Sequence, residues 1–314
     1  MNTKETSKDS VLVVGSVALD DISTPSAKRQ RSLGGSAVYF SWACSFFSPV
    51  SMVGVVGEDF PEKHESMLSN RGIDIRGLKR KKGKTFHWSG RYDNDFNVAH
   101  TLKTDLNVFS AFVPRIFSYQ RKMKCLFLAN IDPQLQLAVA KSMEGPRLIA
   151  ADTMNYWIDT KKDDLFEVLK IIDFLLINDA EVRQLAGENN IIRACKKLIS
   201  KGPRGILVKQ GEYGAMMYYR DPLKKRFSVF SVPSFPVETV VDPTGAGDSF
   251  AGAFMGYMSA SGKIDDKTLR AAVVNGCVAA SFAVEGFSLD GIKNRTMTSI
   301  NRRKKILKDI SLID

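Results

Sequence analysis

Between Lys124 and Val208 the chain alternates short apolar runs with longer segments of helical spacing. Strands are expected at Cys125–Ala129, Leu148–Ala151, Phe174–Ile177 and Ile206–Val208. Helices are expected at Gln134–Met143, Leu165–Lys170 and Ile191–Ser200. Buried strands separated by helices cannot pair as hairpins. They pair in parallel, with the helices packed on both faces of one sheet. Val11–Val17 and Val50–Val56 are continuous β-branched runs of the same kind. The fold class is therefore α/β, three layers around a mostly parallel central sheet. In such sheets ligands bind beyond the carboxyl ends of the strands, so polar residues directly after a strand are site candidates.

Two stretches have a different texture. Ile22–Leu33 is polar and broken by Pro25, as in an edge hairpin. Residues 73–108 hold a basic turn at Lys79–Lys84 and the period-two run Thr85–Tyr92. Strands from about 21–33 and 73–108 are expected to form a small β-sheet lid inserted into one catalytic domain spanning 1–314. Ala215–Tyr219 and Arg226–Val232 read as a further hairpin, and Glu58–Asn70 as a helix closed by Arg71-Gly72.

The run Val240–Phe250 ends a β-branched segment, turns through Gly245 and Gly247, and enters the apolar segment Ser249–Met258. A strand, a Gly-rich turn and a helix N-terminus offer unpaired N–H groups and partial positive charge to an anion. Asp248 is a carboxylate in that position. Beside a phosphate it can take the proton of an attacking hydroxyl; a helix-capping role accounts for it equally simply.

Other candidates follow strands or open helices. Asp20 follows the first strand and is placed to accept hydrogen bonds from substrate hydroxyls. Gly34 and Gly35 precede the helical segment containing Tyr39, where either packing or ligand approach explains them. Asn178 and Glu181 lie three apart at a helix start, which also satisfies a capping box. Lys209, Gly211 and Gly214 make a turn after a strand. Asn275 sits in a small-residue helix, Ala271–Ala280, suited to packing or to bordering a base.

The string Asp242–Asp248 resembles the D-[TP]-T-G-A-G-D motif of the ribokinase family, also called the PfkB carbohydrate kinases. Gly34-Gly35 with Tyr39 resembles its GG-x-x-x-N signature, with Tyr39 where Asn is usual. Asn178–Glu181 resembles N-x-x-E, and Lys209–Gly214 resembles K-x-G-x-x-G. The motifs run in the family's order from Val11 to Phe287. The resemblance implies a ribokinase-like fold and transfer of the γ-phosphoryl group of ATP to an alcohol. It implies Asp248 as general base and the amides of Gly245, Ala246 and Gly247 as an anion hole. Asp20, Gly34, Gly35 and Tyr39 fall on the acceptor side. Asn178, Lys209, Gly211, Gly214, Thr244 and Asn275 fall on the ATP side. Glu181 organises Mg2+ through water, and the family leaves room for a monovalent cation. A free sugar is placed slightly ahead of a nucleoside as acceptor. A non-catalytic nucleotide- or sugar-binding regulator is a further alternative, which the intact Gly245–Asp248 string argues against.

Composition narrows the partners. The net charge of +11 is spread over several clusters rather than one stripe interleaved with aromatics, which argues against nucleic acid. Cys44, Cys125, Cys195 and Cys277 are scattered, as expected of neutral thiols in a reducing compartment. Met1–Ser10 is polar and no secretory h-region follows it; Val11–Leu19 is too short to span a bilayer. The expectation is a cytoplasmic protein off the membrane, acting on a small-molecule alcohol, with a homodimer through the lid left open.

Overall fold

The computed structural model describes residues 10–96, 98–221 and 226–311; the polar start of the chain through Asp9 lies outside them. Strands in chain order are β1 Val11–Val14, β2 Ala18–Ser23, β3 Lys28–Gly34, β4 Val50–Val56, β5 Asp74–Arg80, β6 Phe86–Tyr92, β7 Ala99–Asp105, β8 Cys125–Leu128, β9 Leu148–Asp152, β10 Phe174–Asn178, β11 Gly205–Lys209, β12 Ala215–Arg220 and β13 Phe227–Val232. Helices are α1 Ser36–Cys44, α2 Glu62–Asn70, α3 Ser118–Arg121, α4 Pro133–Lys141, α5 Asn155–Thr160, α6 Lys162–Leu169, α7 Asp179–Ala186, α8 Ile191–Ile199, α9 Ala246–Ser261, α10 Asp266–Ala283 and α11 Met297–Ile310.

Nine strands form one sheet in the order β13-β12-β11-β10-β9-β8-β1-β4-β5. Pairing is parallel from β11 to β5; β12 and β13 run antiparallel. Alternation along each strand divides the core. Val11 and Val13 pack with α1, α9 and α10 residues on one face, and Leu12 and Val14 with α6, α7 and α8 residues on the other. Both faces are covered, which is why these strands are apolar throughout. From β1 the chain builds toward β4 and β5, then crosses to β8. The strand order reverses between β1 and β8, the position where an open α/β sheet leaves a crevice.

A second sheet, β3-β2-β6-β7, grows from the carboxyl end of β1, because β2 starts only four residues after β1 ends. It is the expected small sheet, with one correction. The stretch 73–108 does not enter it as a whole: β5 pairs in parallel with β4 at the edge of the large sheet. The β4–α2–β5 segment is a crossover unit, and its returning strand must lie beside the first. The edge position explains the polar composition of β5, which carries no mark of the sheet it joins.

The segment before the Gly-rich loop is also corrected. Residues 233–245 form no strand. Pro233, Pro236 and Pro243 lack the N–H that a ladder needs. The segment is tied instead to the end of α10: Val241 N and Asp242 N both donate to the Val284 carbonyl, at 2.8 and 3.3 Å.

Candidate active site

The site is assembled at the carboxyl ends of adjacent parallel strands. Asp152 ends β9, Asn178 ends β10 and Lys209 ends β11. The N-terminus of α9 stands beside them. Gly245 takes a left-handed conformation, φ 76°, as the residue before α9. A side chain there is doubly excluded: a Cβ would meet the Tyr39 ring at 2.3 Å. Tyr39 is therefore a floor beneath the loop. Helices α1 and α9 are held together tightly enough to place it there, since a Cβ on Gly252 would lie 2.1 Å from the Phe40 carbonyl oxygen.

The loop amides are not equivalent. Ala246 N donates to Pro243 O at 3.1 Å, closing the turn. The Ala246 amide is thus engaged within the turn. Gly247 and Asp248 lie in the first turn of α9, where amides have no partner within the helix.

Lys209 Nζ bonds Asp152 Oδ2 at 2.8 Å, with only 18% and 6% of the two side chains exposed. The same ammonium lies 3.2 Å from where a Cβ on Gly247 would stand, so it adjoins the loop. Burial works against the Lys209 charge, but Asp152 and Glu181 outweigh it and raise its pKa. Burial raises Asp248 to about 7; Asp152 adds to this and Lys209 opposes it. Burial likewise raises Glu181 to about 7, opposed by Lys209 and assisted by Asp152. Asp152 is a member of this group that motif reading missed. Its position at a strand's carboxyl end was the available signal.

Asn178 and Glu181 form the capping box: Asn178 Oδ1 accepts from Glu181 N at 2.8 Å, and Glu181 Oε2 from Asn178 N at 3.1 Å. The cap fixes the Glu181 carboxylate toward Lys209 and Asp152, so the structural role does not displace a site role. Buried carboxylates beside one ammonium suit Mg2+, which takes one or two carboxylates and otherwise phosphates and water. Among the described residues no cluster of three His, Cys, Asp or Glu side chains could hold a metal by protein groups alone.

On the other side of the loop, Asp20 is buried at 4% exposure, and its Oδ1 has no hydrogen-bond partner. Burial, reinforced by Asp242, Asp21 and Asp248, raises its pKa to about 8. Gly34 faces this carboxylate directly, because a Cβ there would collide with Asp20 Oδ2. Gly35, φ 98°, precedes α1 and lies against the Ser16 carbonyl. The Tyr39 hydroxyl and Asp242 Oδ2 are also buried without a partner. Burial holds the Tyr39 phenol well above its ordinary value.

A cavity of about 700 Å³ opens on the Lys209 side, lined by Lys209, Gly211, Gly214, Gly247, Cys277 and Val284 among others. Two of the residues expected on the ATP side do not line it. Asn275 is 1% exposed, does not line the cavity, and donates its side-chain amide to Ala271 O at 2.9 Å within α10. Thr244 does not line it either; its hydroxyl donates to Tyr92 OH at 3.1 Å. Arg303 lies 3.7 Å above the Phe282 ring, pairs with Glu285, and donates at 3.0 Å to the hydroxyl of Ser281, which lines this cavity.

Residues 10–293 match the family model described as pfkB family carbohydrate kinase. The chain belongs to this family. It is a phosphotransferase with an alcohol group as acceptor, of the sugar- or nucleoside-kinase kind. The cytidine kinase of Thermococcus kodakarensis is 27% identical over 253 residues, covering 79% of this chain and 88% of that protein. The structure of the Burkholderia thailandensis nucleoside kinase in complex with inosine superposes with a TM-score of 0.78 at 18% identity, covering 95% of this chain and 98% of that one. A ribokinase-like structure from E. coli, described as a putative ribokinase II in complex with ATP and Mg2+, superposes with a TM-score of 0.75 at 19% identity, covering 94% and 99%. The last two establish the ribokinase-like fold. Among the described residues no helix is long and apolar enough to cross a membrane.

Proposed function

We propose that this kinase transfers the γ-phosphoryl group of ATP to a hydroxyl on the ribose of a nucleoside. The transfer is supported by one arrangement: Asp248 lies on the Gly-rich loop between Asp20, whose Oδ1 has no hydrogen-bond partner, on one side and the Lys209–Asp152 pair on the other. Asp248 takes the acceptor's hydroxyl proton. The oxygen attacks the γ-phosphorus, the bond from phosphorus to the bridging oxygen breaks, and ADP leaves. Amides of Gly245, Gly247 and Asp248, with Lys209, face the charge on the transferring group. Asp20 accepts from acceptor hydroxyls. Gly211 and Gly214 border the triphosphate. Mg2+ at Glu181 and Asp152 would neutralise phosphate oxygens.

The acceptor class is supported by Trp88. It pairs in register with Asp20 in the small sheet, so both side chains share one face. Its ring folds over Gly90, leaving a flat aromatic wall one strand away from the acceptor carboxylate. Such a surface stacks a base. A free sugar, ranked ahead on sequence alone, is the second reading; it needs Asp20 and depends less on a flat indole than a base does. A panel of ribonucleosides, pentoses, hexoses and inositols, with ADP release and product mass measured, decides between them. Nucleosides should give the highest kcat/KM, and Trp88→Ala should lower it for nucleosides only. A pentose outranking every nucleoside overturns the acceptor assignment.

The orphan Asp242 Oδ2 offers a place for a monovalent cation, testable by exchanging K+ for a bulky organic cation in the assay. A homodimer through the lid is in keeping with the exposed edge at β7, where Leu102 is 62% exposed, and is checked by the mass in solution.

A further inference from the structure

Tyr92 is the last residue of β6 and belongs to the small sheet, yet its hydroxyl accepts a hydrogen bond from Thr244 Oγ1, in the Gly-rich loop, at 3.1 Å. Thr244 is in turn held by its own amide, which donates to Asp242 Oδ1 at 2.9 Å. The next residue is Gly245, whose left-handed backbone sets the direction of the loop amides. Side chains packed around this bond are apolar, while ion pairs further out, Arg31–Asp59 at 3.0 Å and Arg29–Asp290 at 3.5 Å, also join lid and core. Ile22, Tyr92 and Phe287 are the buried members of the apolar group, with Trp88, Phe96 and Val241 packed against them. An apolar contact is non-directional and permits sliding; a hydroxyl–hydroxyl bond fixes position. Below the loop, the Tyr39 ring supports Gly245 from α1, which does not belong to the lid. The loop is thus held by one fixed tyrosine and one carried by the lid. Beyond Tyr92 the chain turns through Asn94, Asp95 and Phe96, which line the cavity on the Lys209 side of the loop.

We propose that Tyr92 is a positioning residue that couples seating of the small sheet to the geometry of the phosphoryl-transfer loop. With the sheet seated, Tyr92 holds Thr244 and the loop amides point at the transferring group. With the sheet lifted, Thr244 loses this bond and the loop is no longer held from above. Transfer then requires a seated lid, which also shields the reacting hydroxyl from competing water. The inference rests on the reading of Gly245–Asp248 as the transfer loop.

The test uses the full-length wild type with Tyr92→Phe, Thr244→Val, Thr244→Ser and the Tyr92→Phe/Thr244→Val pair, on whichever acceptor the wild type phosphorylates best. Tyr92→Phe and Thr244→Val should each lower kcat roughly 5- to 10-fold, as the loss of one hydrogen bond in the transition state would. The KM for ATP should stay within about twofold, because the bond does not contact the donor. Thr244→Ser keeps the hydroxyl and should retain most of the wild-type kcat. The double variant should fall no further than the worse single, since both remove one bond. Tyr92→Phe at wild-type kcat, or losses that multiply in the double variant, overturn the coupling. A rise in the KM for ATP with kcat unchanged also overturns it, by making Tyr92 a donor-site support. An active Asp248→Asn enzyme would overturn the base assignment instead, so the two failures are distinguishable.

Discussion

Lys209 Nζ and Asp152 Oδ2 lie 2.8 Å apart at the ends of β11 and β9, strands separated in the sheet by β10. The pair spans the floor of the site, and Asp248 is in the field of both. One charge raises the proton affinity of the base and the other lowers it. Burial sets the base well above the ordinary carboxylate range, and the pair adjusts that value in opposite directions.

Asp248 held at about 7 gives activity an acid limb. A general base must be ionised, so kcat/KM should rise with pH through about 7 and level above it. Asp248→Asn should cost roughly 10²-fold or more in kcat while leaving ADP binding by calorimetry largely intact. A variant that keeps most of its turnover removes Asp248 from the mechanism.

Changing the pair should move that limb in opposite directions. Lys209→Met withdraws the charge that lowers the Asp248 pKa, so the limb shifts to higher pH. Asp152→Asn withdraws the charge that raises it, so the limb shifts lower. Lys209→Met also leaves Asp152 buried and unpaired, a loss of about 3–5 kcal/mol by the usual cost of breaking such a pair. Denaturant unfolding and pH–rate profiles of both variants check this.

The unliganded protein should lose stability as pH rises. Asp20, Glu181 and Asp248 have folded-state pKa values of about 8, 7 and 7, above the ordinary carboxylate range. The folded state thus binds more protons than the unfolded state between roughly pH 4 and 8. Their contribution is fully present below the unfolded values and is lost as pH rises through the folded ones. Tm should fall between pH 6 and pH 8.5, and Asp20→Asn should flatten the fall. A Tm that rises over this interval in wild type, with no change in Asp20→Asn, contradicts the assignment.

Gly252→Ala tests the scaffold rather than the chemistry. Its Cβ would stand 2.1 Å from the Phe40 carbonyl oxygen, so α9 must move from α1 and carry the loop with it. The expected loss is about 1–3 kcal/mol in urea unfolding, with a fall in kcat from the displaced loop.

The layered α/β fold was legible because buried parallel strands such as Val50–Val56 and Phe174–Ile177 must be apolar on both faces. The Gly-rich turn and helix start at Gly245–Asp248 were legible because they lie on one continuous segment, and a helix N-terminus is a local property. The place of β5 was not, because a polar edge strand carries no signal of which sheet it joins. The segment before the loop was misread because β-branched residues favour a strand only where a partner strand exists, and its N–H groups found Val284 instead. Asp20, Asp152, Lys209 and Asp248 were each visible as single residues after strands or at a helix start. Asp152 and Lys209 are brought together by the order β11-β10-β9, which aligns strand ends far apart in the chain; Asp20, within β2 of the small sheet, and Asp248, in the first turn of α9, join them only through tertiary packing. The same holds for Tyr39 and Tyr92. A sequence motif marks a tyrosine where asparagine is usual, but only the close packing of α1 on α9 puts the Tyr39 ring under Gly245. Only the seating of the small sheet brings Tyr92 to Thr244, 152 residues later in the chain. Local chemistry is written in neighbouring residues; electrostatic coupling and contact depend on distance through space, which the fold alone supplies.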